Sequence, residues 1–172
     1  MRRFLTVAAM TAALVAGGPA AASYAAATDD DGITRGNYLV GAGTLGQFGE
    51  PTAYLGAYET SYGPLGGFTV TYPDGTYAIG QATCLTVNGT VSFLTGKIAL
   101  SGGPRKDANR WLRGSSVVIG VQDNGNGGAG EAPDRLNFSQ GSPTDLGCGS
   151  NQAALPEFII VKGNYRMADR SA

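Results

Sequence analysis

Apolar and polar residues alternate along much of this chain with the two-residue period of β-strands. Phe68, Val70 and Tyr72 alternate with Thr69 and Thr71, which is the pattern of a strand with one buried face. Similar segments predict eight strands, at Asn37–Gly46, Thr52–Ser61, Phe68–Tyr72, Thr76–Val87, Thr90–Leu100, Ser116–Gln122, Arg135–Phe138 and Glu157–Tyr165. Beyond residue 27, no stretch of ten residues has the period of a helix.

Turn signals between these strands favour an antiparallel fold. Pro73-Asp74-Gly75 predicts a chain reversal, because proline presets φ and glycine accepts a positive φ. Asn88-Gly89 predicts a hairpin with a type I′ turn. Phe158–Val161 is apolar throughout and predicts a strand buried on both faces. Short strands joined by tight turns predict an all-β, single-domain, antiparallel up-and-down β-barrel of about eight strands, with a β-sandwich as the alternative.

The first 27 residues have the features of a secretory signal peptide. Arg2 and Arg3 precede an apolar run over Phe4–Gly17 and a stretch of small residues up to Ala27. We therefore predict a secreted protein in which residues 1–27 are removed, 28–36 form a disordered acidic leader, 37–165 form the β domain and 166–172 form a polar tail. The apolar run is shorter than the roughly 20 residues of a membrane-spanning helix, so no membrane span is predicted.

The composition argues against several functional classes. The chain has 12 basic and 13 acidic residues and no basic patch, which argues against nucleic acid as a partner. It has no histidine, so a Ser-His-Asp or Cys-His catalytic arrangement cannot form. The G-x-G-x-x-G segments Gly41–Gly46 and Gly125–Gly130 lack the following helix that a dinucleotide site requires, and we interpret them as turns. No catalytic residue and no cofactor is assigned.

The chain has two cysteines, Cys84 and Cys148. An even number of cysteines in an exported protein predicts a disulfide, with two free thiols as the alternative. A disulfide between them would close the long loop from Cys84 to Cys148 and would stabilise the fold by about 4 kcal/mol in the chain-entropy model. Two cysteines without histidine cannot form a structural zinc site, and no metal is assigned to them.

Three groups of residues are candidate binding sites. Five aromatic residues are candidates to line a cavity inside the barrel, unless they fill its core: Tyr54, Tyr58, Tyr72, Tyr77 and Phe93. Five residues of one polar loop are candidates for a calcium site, unless they only stabilise turns: Asp123, Asn124, Asn126, Glu131 and Asp134. Trp111, with Arg110 and Arg113, is a candidate for surface binding.

Two motifs resemble those of a family of exported actinobacterial β-rich proteins. The segment Gly80–Gly89 fits G-x-x-T-C-L-x-V-x-G, and Val121–Gly125 fits V-x-D-N-G. The resemblance covers most of residues 37–140 and implies export and a β-fold, without an assigned activity. In overall shape, the predicted barrel is also similar to dirigent and allene-oxide-cyclase-type barrels, which enclose apolar substrates.

These features are consistent with three functions. The first is an exported, non-enzymatic β-domain that acts as a binding or cell-envelope-associated module for a small apolar or polymeric ligand. The second is a barrel-type cyclase or isomerase that orients an apolar substrate, a chemistry that does not require histidine. The third is a calcium-dependent adhesion or inhibitor module built on the loop that begins at Asp123.

Overall fold

The chain forms a closed barrel of eight antiparallel β-strands in the computed structural model, which describes residues 36–104, 112–125, 132–140 and 155–168. The strands are β1 (Tyr38–Leu45), β2 (Thr52–Thr60), β3 (Gly63–Thr71), β4 (Tyr77–Asn88), β5 (Val91–Gly102), β6 (Ser116–Gln122), β7 (Arg135–Gln140) and β8 (Phe158–Ala168). Each strand pairs with the next one, and β1 pairs with β8. The predicted up-and-down barrel is confirmed, and the β-sandwich alternative is wrong.

The eight predicted strands are present, with shifted ends. β3 begins at Gly63 rather than Phe68, because its first residues pair with the end of β2. β8 continues to Ala168 and so includes the first residues of the predicted polar tail. The predicted signal peptide and residues 28–35 of the predicted leader lie outside the described residues. Within the described ranges, no helix is long and apolar enough to cross a bilayer.

The two predicted turns reverse the chain, but one differs in type. The turn at Pro73–Gly75 is confirmed, with a φ of 85° at its glycine. Asn88 pairs with Val91, so the β4–β5 turn consists of Gly89 and Thr90. Of these two residues only Gly89 has a positive φ, of 58°, which is the pattern of a type II′ turn. The predicted type I′ turn is therefore wrong.

The Phe68 ring fills the interior of the barrel where β4 and β5 carry glycine. Phe68 is 3% exposed. A Cβ atom added at Gly80 would overlap this ring, and one added at Gly96 would lie 2.8 Å from it. Since β4 and β5 have no side chain at these two positions, they leave the space that the ring occupies.

The Tyr165 ring fills the interior in the same way beside β1. Tyr165 is fully buried, and its hydroxyl donates a hydrogen bond to the carbonyl oxygen of Ala53 at 2.9 Å. Cβ atoms added at Gly41 and Gly43 would each lie 2.8 Å from the ring. The interpretation of Gly41–Gly46 as a turn is wrong, because its first five residues belong to β1 and the glycines make room for Tyr165.

Aliphatic side chains pack around these two rings. They come from all eight strands and are at most 7% exposed: Leu39, Leu45, Leu55, Val70, Leu85, Val87, Leu94, Ile98, Val117, Ile119, Val121, Leu136 and Ile160. The interior of this barrel is therefore packed with side chains, as a barrel of eight strands permits.

β8 has one buried and one exposed face. Ile160 is 5% exposed, whereas Ile159 and Val161 are 46% and 63% exposed. Among the described residues, β7 pairs with β8 only through Arg135–Ile159 and Leu136–Phe158, so most of β8 has no strand beside it on that edge. The prediction that this strand is buried on both faces is wrong, because the side chains of Ile159 and Val161 point away from the core and are exposed.

Candidate functional site

Most of the aromatic residues predicted to line a cavity lie on the outside of the barrel. Tyr54 is 51% exposed, whereas its neighbours Ala53 and Leu55 are 1% and 5% exposed. Because side chains alternate across a strand, the buried neighbours of three further residues place them on the outer surface as well: Tyr58, Tyr77 and Phe93. The cavity prediction is wrong for these four residues. Tyr72 is partly buried and packs against the core.

Two of these outer tyrosines belong to one continuous surface. We call the outer surface of β1 and β2 formed by Tyr38, Val40, Tyr54, Gly56 and Tyr58 the tyrosine face. Tyr38 is paired with Tyr58 across the two strands, and Val40 with Gly56. The Tyr38 and Tyr58 rings have their centroids 6.5 Å apart with an interplanar angle of 32°. The pair presents a broad aromatic surface at one end of the face.

Gly56 forms an indentation at the centre of the tyrosine face. A Cβ atom added at Gly56 would have no other atom within 4 Å, so the position opens to solvent. Tyr54 and Tyr58 stand on either side of it on the same strand, with Cα atoms about 13 Å apart at the usual rise of an extended strand. A flat ring of a ligand can therefore lie over Gly56 with an aromatic side chain on each side.

Positively charged residues border the tyrosine face on β8. Arg166 pairs with Val40, and Lys162 pairs with Thr44. Both cations are exposed, and pairing with outward residues of β1 places them on the outer surface. The outward residues that pair between β1 and its neighbours β2 and β8 include these two cations and no carboxylate: Tyr38, Val40, Ala42, Thr44, Thr52, Tyr54, Gly56, Tyr58, Lys162, Asn164, Arg166 and Ala168.

A buried carboxylate joins the predicted calcium loop to β8. Asp134 is 5% exposed. Its Oδ1 accepts a hydrogen bond from the Asn124 amide at 2.9 Å, and its Oδ2 accepts one from the Tyr165 amide at 2.8 Å. Oriented so that donors face acceptors, the Asn164 side-chain amide donates to the same Oδ2 and to the Gly125 carbonyl oxygen, each at 2.9 Å. The carboxylate thus takes the place of a neighbouring strand beyond the last β7–β8 pair.

The charge on Asp134 is unfavourable in this position. Burial raises the pKa of the Asp134 carboxyl above its ordinary value of 3.8, and the nearby Asp123 adds to the increase, although the amides of Asn124 and Tyr165 act in the opposite direction. Burial also raises the pKa of the Tyr165 hydroxyl, so this group stays protonated. The contribution of Asp134 to this site therefore comes from the hydrogen bonds that its carboxyl oxygens accept.

The hydrogen bonds of the loop favour the turn-stabilising alternative over a calcium site. Both Asp134 oxygens accept hydrogen bonds from N–H groups, and Asp123 Oδ1 accepts one from the Gly125 amide at 2.9 Å. Calcium binds oxygen atoms that are free to coordinate it. Among the described residues, no three acidic, cysteine or histidine side chains are grouped closely enough to hold a metal ion. Asn126 and Glu131 lie outside those residues.

Replacing Asp134 by asparagine is expected to lower the free energy of unfolding by about 1–3 kcal/mol, because an NH₂ group then faces an N–H donor in a buried position. A carboxyl whose pKa is raised on folding contributes stability below its unfolded pKa and loses it as the pH rises through the folded pKa. The difference in melting temperature between wild type and Asp134→Asn should therefore grow from pH 7 to pH 4. A constant difference would contradict the raised pKa.

Two surface clefts flank this buried carboxylate. One, of about 220 Å³, is lined by Pro133, Asp134 and residues 160–164 of β8. The other, of about 470 Å³, is lined by Gly89, Thr90, residues 123–125 and Met167. Among the described lining residues, Met167 is the one apolar side chain of the larger cleft, and Pro133, Ile160 and Val161 are the apolar residues of the smaller one. Polar, charged and glycine residues line the rest of both clefts, unlike the mostly apolar pocket that encloses a small apolar ligand.

The remaining predicted site residues are only partly described. Arg113 is exposed, while Trp111 and Arg110 lie outside the described residues, so the surface site they would form stays a prediction. Cys84 is buried at 7% exposure. Cys148 also lies outside the described residues, and its disulfide with Cys84 stays a prediction.

Comparison of the chain with protein-family models, curated proteins and solved structures finds no match. The resemblance to exported actinobacterial proteins and to dirigent-type barrels therefore stays a prediction. Within the part of the chain that the structure describes, the tyrosine face combines an exposed aromatic side chain at Tyr54 with open space at Gly56.

Sequence reasoning did not identify the tyrosine face, although a signal for it is present. Over residues 54–58 the chain reads Tyr-Leu-Gly-Ala-Tyr, so two tyrosines and a glycine share one side of the strand while small and aliphatic residues share the other. Small residues fit a crowded barrel interior, and exposed aromatic residues on the opposite side are typical of a binding surface. Lys162 and Arg166 had no such signal, because only the β1–β8 pairing brings them beside this face.

Proposed function

We propose that this protein is an exported, non-enzymatic binding module that holds a polymer of the cell envelope on its tyrosine face. The observation that carries the proposal is the contrast between the two sides of β2. The interior side packs into a core filled by Phe68 and Tyr165, and the outer side leaves Tyr54 51% exposed beside the open position of Gly56. A ligand therefore finds aromatic surface on the outside of the barrel.

The position of the face on the outside of a barrel favours a polymer over a small apolar molecule. A convex surface covers only one side of a ligand, whereas a pocket buries most of the ligand's surface. Each contact on such a surface contributes little, and affinity then depends on several contacts made by one chain. A polymer with repeated units can also contact the exposed side chains next to the face, such as Leu65, which pairs with Tyr58 and is 60% exposed.

The packed interior supports a binding module more than a cyclase or isomerase. Such an enzyme has to enclose an apolar substrate, which takes a pocket of about 300 Å³ or more with convergent polar groups. Rings and aliphatic side chains occupy the core of the described barrel, and the clefts beside Asp134 lie at the surface and are lined mainly by polar, charged and glycine residues.

Loss of the outward tyrosine rings of β2 is expected to reduce binding without unfolding the protein. Tyr54→Ala and Tyr58→Ala should each weaken sedimentation of the purified protein with insoluble cell-envelope material by about three- to tenfold, since burial of an aromatic ring contributes about 1 kcal/mol or more. Tyr62→Ala is the matched control, because Tyr62 is 95% exposed in the β2–β3 turn, outside the face.

The outcome of this comparison decides the proposal. Weaker binding of both face variants, with binding of Tyr62→Ala like wild type and all three variants folded at the temperature of the assay, supports the tyrosine face as the binding surface. Equal binding by all four proteins, or no binding by wild type to envelope material, would overturn it.

Export and a disulfide between Cys84 and Cys148 complete the proposal. Burial of Cys84 at 7% exposure supports a structural role for this sulfur. We expect protein recovered from culture supernatant to begin after residue 27 and to have, without reductant, a mass two hydrogens below that of the reduced chain. Retention of the protein inside the cell, or a mass equal to that of the reduced chain, would contradict this part of the proposal.

A further inference from the structure

The border of the tyrosine face indicates the chemistry of the polymer. Lys162 and Arg166 lie on β8 directly beside β1, in register with Thr44 and Val40. Both are exposed, and neither forms an ion pair with another residue in the part of the chain that the structure describes. The protein as a whole carries a net charge of −1, whereas the residues of β8 that pair with β1 include these two cations and no carboxylate. The carboxylate of Asp134 is buried and lines a cleft together with Lys162.

We infer that the tyrosine face binds a glycan whose sugar rings carry carboxylate groups. The sugar rings lie on the tyrosines and over Gly56, and the carboxylates are received by Arg166 and Lys162. This inference rests on the proposed function, because it names the class of polymer held by the same surface.

The central part of the face matches a sugar ring. A sugar ring has apolar C–H surfaces that pack on the face of an aromatic ring, and hydroxyl groups around its edge that require polar neighbours. The tyrosine rings supply the first kind of contact. Thr44 and Thr52 place two hydroxyl groups, hydrogen-bonded to each other at 2.9 Å, on the outer surface of the same two strands.

The spacing of the cations matches carboxylates distributed along a chain. Arg166 is two strand spacings from Gly56, or about 10 Å, so a long cationic side chain extends toward a ring bound there. Arg166 and Lys162 are separated along β8, whereas sites for phosphate gather several donors around one group. Single exposed ion pairs are weak, and repeated carboxylates on one chain allow both cations to act together.

Short linear oligogalacturonate is a suitable probe, and its methyl ester is the matched neutral ligand, because both have the same sugar rings. We expect the purified protein to bind the acid form at least about tenfold more tightly than the ester in calorimetry at low ionic strength, with the difference removed by high salt. Arg166→Gln and Lys162→Gln should each weaken binding of the acid form by about three- to tenfold. Arg135→Gln, which removes an exposed arginine of β7, should bind like wild type.

Three other results would overturn this inference, and none of them would by itself contradict the proposed function. Equal binding of acid and ester, unaffected by Arg166→Gln, would assign a neutral glycan. Binding of an inorganic polyphosphate chain without binding of the oligogalacturonate would assign a phosphate polymer. Absence of binding to either sugar probe would exclude glycans of this kind. In all three cases, loss of envelope binding in Tyr54→Ala and Tyr58→Ala would leave the proposed function standing.

Discussion

Replacing Gly66 by alanine is expected to lower the free energy of unfolding by about 3 kcal/mol or more, because backbone strain and steric overlap coincide at this position. Gly66 has a φ of 106°, which residues with a Cβ atom rarely adopt. An added Cβ atom would also overlap the carbonyl oxygen of Gly56, and a backbone atom of a paired strand cannot move aside without breaking the ladder. Urea unfolding followed by circular dichroism measures the loss.

Gly56→Ala is the matched control for this prediction. Gly56 lies on the paired strand, and a Cβ atom added there has no other atom within 4 Å. The free energy of unfolding should therefore change by no more than about 0.5 kcal/mol. Similar losses for the two variants would contradict the predicted difference between an open position and a strained, obstructed one.

Replacing Tyr165 by alanine is expected to lower the free energy of unfolding by about 3–5 kcal/mol, since it removes a fully buried ring and leaves a cavity beside Gly41 and Gly43. Tyr165→Phe keeps the ring and removes only the hydroxyl that donates to Ala53 at 2.9 Å, so it should lower the same free energy by about 1–2 kcal/mol. The order of the two variants in urea unfolding tests whether the ring or its hydrogen bond contributes more.

Tyr54→Ala is the control for the loss of a tyrosine side chain as such. Tyr54 is 51% exposed on the outside of β2, and its replacement should change the free energy of unfolding by about 1 kcal/mol or less. Equal losses for Tyr54→Ala and Tyr165→Ala would contradict the assignment of Tyr165 to the core and of Tyr54 to the surface.

Local patterns in the sequence were sufficient to locate the strands. The alternation over Phe68–Tyr72 and the turn at Pro73–Gly75 depend only on neighbouring residues, and both are confirmed. Pairing of consecutive strands in order brings β8 beside β1, and the pairing of these two strands closes the barrel. Even the error at the β4–β5 hairpin is a shift of one residue, since glycine at the first central position favours a type II′ turn.

Local sequence patterns do not indicate which side chains of a strand point into the barrel. Alternation separates the two faces of a strand but does not indicate which face is inside. The predicted cavity therefore places the tyrosines of β2 on the inner face, whereas they lie on the outer face. The rings of Phe68 and Tyr165 fill the barrel interior, and the tyrosines of β2 point to the outside. Glycines on other strands accommodate those rings, so the inside of β2 is determined by residues that are distant in the sequence.

The carboxylate at Asp134 illustrates the same limit at the predicted calcium loop. Its hydrogen bond to the Tyr165 amide joins residues 31 positions apart, and no local pattern indicates it. Acidic and amide residues in a glycine-rich loop are typical of both calcium sites and turns. In this barrel N–H groups face the carboxylate, which favours the turn without testing the whole set of predicted calcium residues.

The affinity of Gly56→Val for cell-envelope material tests the central claim most directly. Valine favours an extended strand and enters open space at this position, so the melting temperature should stay within a few degrees of the wild-type value. Its side chain fills the indentation between Tyr54 and Tyr58, and we predict that binding weakens by about tenfold or more. Unchanged binding by a variant of unchanged stability would contradict a binding site on the tyrosine face.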